Sequence, residues 1–168
     1  MKQGLLPRDI VTESAIRNAF IVDMALGGST NSVLHLIAIA SEAGVTFSPE
    51  EVNRISDATP HLCKMSPGGP NHIEDLDRAG GIPAVMKDVG GHMHLGAMTV
   101  TGGPLGRTLE AARAGDGEVI RPAAQPHSNT GGLSILFGNL APEGAVVKSS
   151  AVDPRMWQHR GPALVFDS

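Results

Sequence analysis

Apolar residues between positions 12 and 44 recur at helical spacing in two consecutive blocks. In the first, Ile16, Ala19, Phe20 and Met24 stand three and four apart and make a single stripe, with Thr12 placed to cap the helix and Glu13 in its first turn. Asp23 lies close to that stripe, near the helix end. In the second, Val33, Leu34, Leu36, Ile37, Ile39 and Ala40 surround the axis, which predicts a helix buried on nearly every side and stopped by Gly44. Gly27, Gly28, Ser29, Thr30 and Asn31 join the two blocks. Glycine closes a helix by taking the left-handed conformation, and Ser29 or Thr30 can cap the next one.

Further along, FSPEEVNRI sets Ser48, Pro49 and Glu51 in the order of a capping box and predicts a helix to about residue 57. HLCKMSPGGPNH reads as a loop, since its prolines and glycines suit neither regular element. Residues 73–78 and 83–89 read as short helices split by Gly80 and Gly81, residues 97–101 as a strand, and residues 105–113 as a helix between glycines. From Glu118 onward the texture changes to short β-branched or apolar runs, EVIRP, GGLSILFGNLAP, GAVVKSSAV and GPALVFDS, so the tail reads as all-β. A boundary between a helical part and a strand-rich part therefore falls within residues 117–131. The run 163–166 reads as a strand with almost nothing after it to pair with or cover it, so the chain is expected to be a piece of something larger.

Composition narrows the function classes. With 41% apolar residues, 18% charged residues and a net charge of -4 over 168 residues, the chain is neither a disordered tail nor a polybasic nucleic-acid binder. Aromatics are 3%, with no Tyr and Trp157 alone, which argues against base stacking and against a membrane-interface belt. The longest apolar run, residues 33–40, is broken by His35 and falls far short of the ~20 residues that a bilayer span needs. Pro7, Arg8 and Asp9 interrupt the start before a secretory core could form. Cys63 is the only cysteine, which excludes an internal disulfide and points to a reducing compartment, the cytoplasm. It equally excludes an iron-sulfur cluster or zinc site built on several cysteines of this chain alone.

Four stretches carry candidate chemistry. Residues 27–31 put free amides and short polar side chains at a helix start, where a carboxylate or phosphate could sit, although an ordinary kink with an N-cap gives the same pattern. In NHIEDLD, His72 and Asp75 share a helix face and could contribute to a hard metal site, but Ile73 and Leu76 suit the core and leave the acids as a solvated face. His92 and His94 would point the same way in an extended segment, yet no third ligand follows at a convincing spacing, which favours a surface loop. Around the glycines of HSNTGGLSILFGNLAPEG, residues Ser128, Asn129, Thr130, Asn139 and Glu143 suit close approach to a ligand or a crowded domain junction. Lys148 reads as a strand-end lysine rather than a counter-ion.

Taken in order, PRDIVT, DMALGGSTNSVLHLIAIASEAGV, NRISDATPHLCKMSPGG, HIEDLDRAGGIPAVMKDV, PLGRTLE, VIRP, TGGLSILFGNLAPEGAVVK and GPALVFDS resemble the dihydroxy-acid dehydratase family, which also includes 6-phosphogluconate and sugar-acid dehydratases. The resemblance covers essentially the whole chain, and Ser32 with the following VLHL is more like the branched-chain amino-acid enzyme. It implies an α/β fold class: the end of an α/β N-terminal domain at residues 1–118, then the start of a β-barrel-like C-terminal domain at residues 119–168.

The implied reaction is loss of water from a 2,3-dihydroxy acid to give a 2-keto acid, by a homodimeric hydro-lyase of valine, isoleucine and leucine biosynthesis. In the family an iron of a 2Fe-2S cluster polarises the leaving hydroxyl, a Mg ion holds the substrate, and a serine acts as base. The segments that carry those groups match nothing here, so the resemblance assigns no catalytic residue and no metal ligand, Cys63 included. Ser29, Thr30 and Asn31 are the substrate-cleft candidates it leaves, and the chain alone is expected to be inactive. A sugar-acid or 6-phosphogluconate dehydratase fragment, or a non-catalytic interaction or ligand-binding module, is the alternative.

Overall fold

Three helices begin where a short hydroxyl side chain meets a free backbone amide in the computed structural model, which describes residues 4–166. After a single turn, α1 (Pro7–Ile10), helix α2 (Glu13–Leu26) starts with Thr12 Oγ1 accepting from the Ala15 amide at 3.3 Å. Helix α3 (Thr30–Glu42) starts with Ser29 Oγ accepting from Asn31 at 3.2 Å, and α4 (Pro49–Ala58) with Ser48 Oγ accepting from Glu51 at 3.3 Å. The expected capping box at Ser48 is only half made, because Glu51 is drawn into ion pairs with Arg17 of α2 and Arg54. Helices α5 (Ile73–Ala79) and α6 (Gly81–Asp88) are separated by Gly80, whose φ of 127° no other residue type adopts readily.

Helix α2 is the hub, packed on α3, α4 and α6. Phe20 stacks on Phe47 with ring centroids 5.1 Å apart, and Met24, Val52, Leu62, Val85, Val89, Ile120 and Leu133 are fully buried around them. The single sheet among the described residues is an antiparallel hairpin of β1 (Ser134–Gly138) and β2 (Ala141–Val147), with Ser134 opposite Val147 and a bulge between Leu136 and Gly138. Side chains of α4 serve as the outer neighbour of β1. Asn53 accepts from the Ile135 amide at 2.7 Å and donates to its carbonyl at 2.8 Å, and Ser56 Oγ donates to the Leu133 carbonyl at 2.6 Å.

The structure corrects several further sequence expectations, among them the core placement of Ile73, which is 66% exposed at the start of α5 while Leu76 is buried. Helix α3 is not buried all round: Val33 and Ala40 face inward, while Leu34 and Ile39 are 64% and 48% exposed, because α2 and β2 pack on one side only. Residues 97–101 form a tight loop, since Thr99 donates to the Gly103 carbonyl and Leu105 to the Ala97 carbonyl before any strand can extend. Helix α7 (Leu105–Leu109) stops early, its continuation unwound where Lys87 takes the Ala112 carbonyl and Arg113 reaches the Arg78 carbonyl at 2.5 Å.

The all-β tail reduces to the β1–β2 hairpin. Asp116 captures the amides of Glu118, Val119 and Ile120 at 3.0 Å each, which bends EVIRP out of strand geometry, and residues 161–166 run exposed with no strand partner among the described residues. Among the described residues the architecture is thus mixed helix with an open two-stranded antiparallel sheet.

Replacing Asn53 with Ala strands the buried-side amide and carbonyl of Ile135, so Asn53→Ala should destabilise the fold by about 1–3 kcal/mol. Equilibrium urea denaturation followed by helix signal measures the shift.

Candidate functional site

The turn between α2 and α3 is built from contacts that exclude side chains. Gly27 is left-handed, with φ of 66°, and a Cβ there would stand 2.4 Å from Nε2 of His61. A Cβ on Gly28 would fall 1.7 Å from Oδ1 of Asp23, and one on Gly132 would fall 2.4 Å from the Gly27 Cα. The tail therefore lies directly on the break, held there by Gly131 donating to the Ser56 carbonyl at 2.8 Å and Gly132 to that of Met24 at 3.2 Å. Beyond β2, Lys148 Nζ donates to the Gly28 carbonyl at 2.5 Å, and Ser150 donates to the Gly132 carbonyl at 3.1 Å.

Beside this junction opens a cleft of about 720 Å³. One wall is Asp23, Gly28, Ser29, Thr30 and Ser32; the other is the loop through Met65, Ser66 and Pro67 with the start of α5, and Lys148 contributes as well. Of the sequence candidates, Ser29 and Thr30 line the cleft, whereas Asn31 is exposed on the first turn of α3 and outside its lining. Asp23 and Lys148 line it too. Burial pushes the Asp23 carboxyl up from its ordinary value, while the Ser32 hydroxyl, the Ser29 amide and the charge of Lys148 pull it down. Its Oδ2 is buried with no hydrogen-bond partner among the described residues.

The other candidates have structural roles. Asp75 accepts the His72 amide at 2.8 Å and pairs with Arg78 at 3.1 Å, while Glu74 and Asp77 face solvent, so the acidic stretch caps α5 and continues as a solvated face. His92 and His94 are exposed; the backbone of His94 clamps the Asn18 side chain at 2.8 and 3.0 Å. Among the described residues no three His, Cys, Asp or Glu side chains converge on a possible metal position. Ser128 and Thr130 sit at the junction with hydroxyls 3.2 Å apart, and the Ser128 carbonyl accepts from His61 at 2.9 Å.

Two buried groups escape any reading of local sequence. His61 is 5% exposed, its ring 5.8 Å from that of His127. Burial lowers the pKa of both, helped by Lys64 and Lys148 at His61, and by Arg121, Lys64 and His61 itself at His127, which reaches about 4. Cys63 is wholly buried, and burial, with the charges of Asp116 and Asp88, pushes its thiol up to about 12. It is a protonated core residue at neutral pH.

Residues 1–108 match the family described as Dihydroxy-acid/6-phosphogluconate dehydratase N-terminal, and residues 118–168 match Dihydroxy-acid/6-phosphogluconate dehydratase C-terminal. The chain belongs to this dehydratase family. Proteins named dihydroxy-acid dehydratase from Dehalococcoides mccartyi, Caldanaerobacter subterraneus and Aquifex aeolicus are 57%, 56% and 51% identical to it over its whole length. The chain spans only 30–31% of the length of these relatives. Ser29 and Thr30 line the cleft at the start of α3, beside Asp23 and Lys148. No helix among the described residues is long and apolar enough to cross a membrane.

Two outcomes follow from these environments. Cys63 should resist alkylation by iodoacetamide in the folded protein and react once urea unfolds it, as read by mass spectrometry. The two histidines have folded pKa values below the ordinary 6.5, so the unfolded chain takes up protons first as pH falls. Their stability contribution is full above about pH 6.5 and is lost as pH falls, for His127 toward about pH 4, so the urea midpoint should drop between about pH 6.5 and 5. His127→Gln should flatten that drop.

Proposed function

We propose that this chain supplies one wall of the substrate cleft of a dihydroxy-acid dehydratase, a hydro-lyase that converts a 2,3-dihydroxy acid into a 2-keto acid in branched-chain amino-acid biosynthesis. The observation that carries the reading is the identity of 51–57% over the whole chain to proteins of that name. It is joined by a cleft whose wall includes Gly27 and Gly28, where an added Cβ would clash with His61 and Asp23. The relatives' shared name favours a dihydroxy acid over 6-phosphogluconate as substrate.

In this reading Ser29 and Thr30 present hydroxyls, and the first turn of α3 presents amides, to the oxygens of the acid. The helix start favours its negative charge. Thr30 can give up its hydroxyl contact without loss of the cap, which belongs to Ser29. The polar residues bind and orient; none is placed as base or acid.

An iron-sulfur cluster and a magnesium ion, which the family uses, do not fit the described residues. Cys63 is a buried thiol, and no three ligating side chains converge. Both groups belong, in this proposal, to dehydratase polypeptide that this chain does not match, and the chain alone is inactive.

Domain organisation follows the same reading. Residues 1–118 close an α/β N-terminal domain, and residues 119–168 open a barrel-like C-terminal domain whose first ribbon is β1–β2. Exposed Leu136, Phe137 and Leu140 suit coverage by further strands, and the outward face of α3, with Leu34 and Ile39, suits coverage by the rest of the dehydratase. The whole enzyme is proposed as a cytoplasmic homodimer.

The test is a chimera in which this chain replaces the matched segment of the Dehalococcoides mccartyi enzyme. It should dehydrate a branched short-chain 2,3-dihydroxy acid in preference to 6-phosphogluconate. Thr30→Val in the chimera should lower kcat/KM by about tenfold, as loss of one substrate hydrogen bond does. Unchanged kinetics would return residues 29–31 to the role of a plain helix cap.

A further inference from the structure

Lys148 reaches back 120 positions along the chain to make its hydrogen bond to Gly28, and that bond ends at the cleft wall. The ammonium is partly buried, and the bond to Gly28 is the only one it makes among the described residues. Gly28 lies between two helices and belongs to neither. Its N–H donates to the Asp23 carbonyl at 2.9 Å, which ties it to α2, and its carbonyl is taken by Lys148. The next residue, Ser29, is the N-cap of α3, its own carbonyl accepting from Ser32 at 3.0 Å. The start of α3 is thus suspended from one residue, whose preceding peptide is tied to α2 through its N–H and whose following peptide is held by the tail through its carbonyl.

Two further contacts make the grip selective. The Asp23 carboxyl occupies the space a Cβ on Gly28 would need, so only glycine fits at this point of the break. Ser150 and Ser149, which follow Lys148, hold the tail to the carbonyls of Gly132 and Gly131 at 3.1 and 3.5 Å. The lysine is anchored near its backbone by one set of bonds and acts on the cleft wall through another.

We propose that Lys148 is a positioning residue of the cleft: by holding the Gly28 carbonyl it fixes the direction in which Ser29 and Thr30 face the substrate. The proposal rests on the dehydratase reading for what the cleft binds. Loss of the bond frees the peptide before α3 to rotate, which misdirects both hydroxyls while the hydrophobic core around Phe20, Met24 and Leu133 stays intact. Substrate affinity is expected to suffer more than global stability.

The experiment compares the chimera with its Lys148→Met, Lys148→Gln and Lys148→Arg variants by amide hydrogen exchange, steady-state kinetics and urea denaturation. Met and Gln should speed exchange of the amides at residues 28–32 by about tenfold and raise KM by a similar factor, with kcat changed less. Arg, which can donate to the same carbonyl, should restore both to near the parent values. Unaltered exchange at residues 28–32 in both the Met and Gln variants would overturn the proposal. So would a loss of stability with KM unchanged, because that is the signature of a lysine that only supports the fold. A parent chimera that folds without turning over would instead sink the dehydratase reading, and the exchange comparison would still decide whether Lys148 fixes the break.

Discussion

Gly27 and Gly132 lie back to back, and the remainder of the site depends on how close that contact is. A single added carbon on Gly132 would meet the Gly27 Cα at 2.4 Å, well inside van der Waals contact. Because nothing stands between them, the tail can donate its Gly131 and Gly132 amides to α4 and α2, deliver β1 to the side chains of Asn53 and Ser56, and carry Lys148 to the cleft. A larger residue at Gly132 would push the tail off Gly27, whereas one at Gly27 would meet the His61 ring. The glycines of the break therefore serve packing first, and the left-handed turn at Gly27 is one part of that service.

Local chemistry was legible in the sequence wherever the structure is decided locally. Thr12, Ser29 and Ser48 each cap a helix because the competing partner for a free amide is the nearest hydroxyl, three or fewer residues away. The Gly80–Gly81 split and the loop through Pro67 follow for the same reason. What failed was any inference that needed to know a distant neighbour. Helix α3 has the composition of a buried helix, but burial depends on what packs against it, and this chain packs only one side. EVIRP has the composition of a strand, but Asp116 offered its amides a nearer acceptor than any strand edge.

The candidate site divides along the same line. Ser29 and Thr30 were visible as polar residues between two apolar helices, a local anomaly that asks for a reason. Asp23 was visible only as a charge near an apolar stripe. The neighbours of Lys148 suggest only a strand-end lysine, since its bonding partner lies 120 residues away. His61 carries no signal at all in its own segment; its burial against Gly27 and beside His127 is created by the meeting of two loops.

Charge and geometry at the cleft wall are not independent. The Asp23 carboxyl is pushed up by burial, and the Ser29 amide and Lys148 are among the groups that oppose the push. Those same two groups define the orientation of the break. The charge of Lys148 is the smallest of these influences on Asp23, after burial and the hydrogen bonds from Ser32 and Ser29. On the opposite side, His61 stays neutral by burial, which keeps a second positive charge away from Gly27. The wall thus sets one cation and one buried acid beside a helix start, so the two side-chain charges oppose one another there.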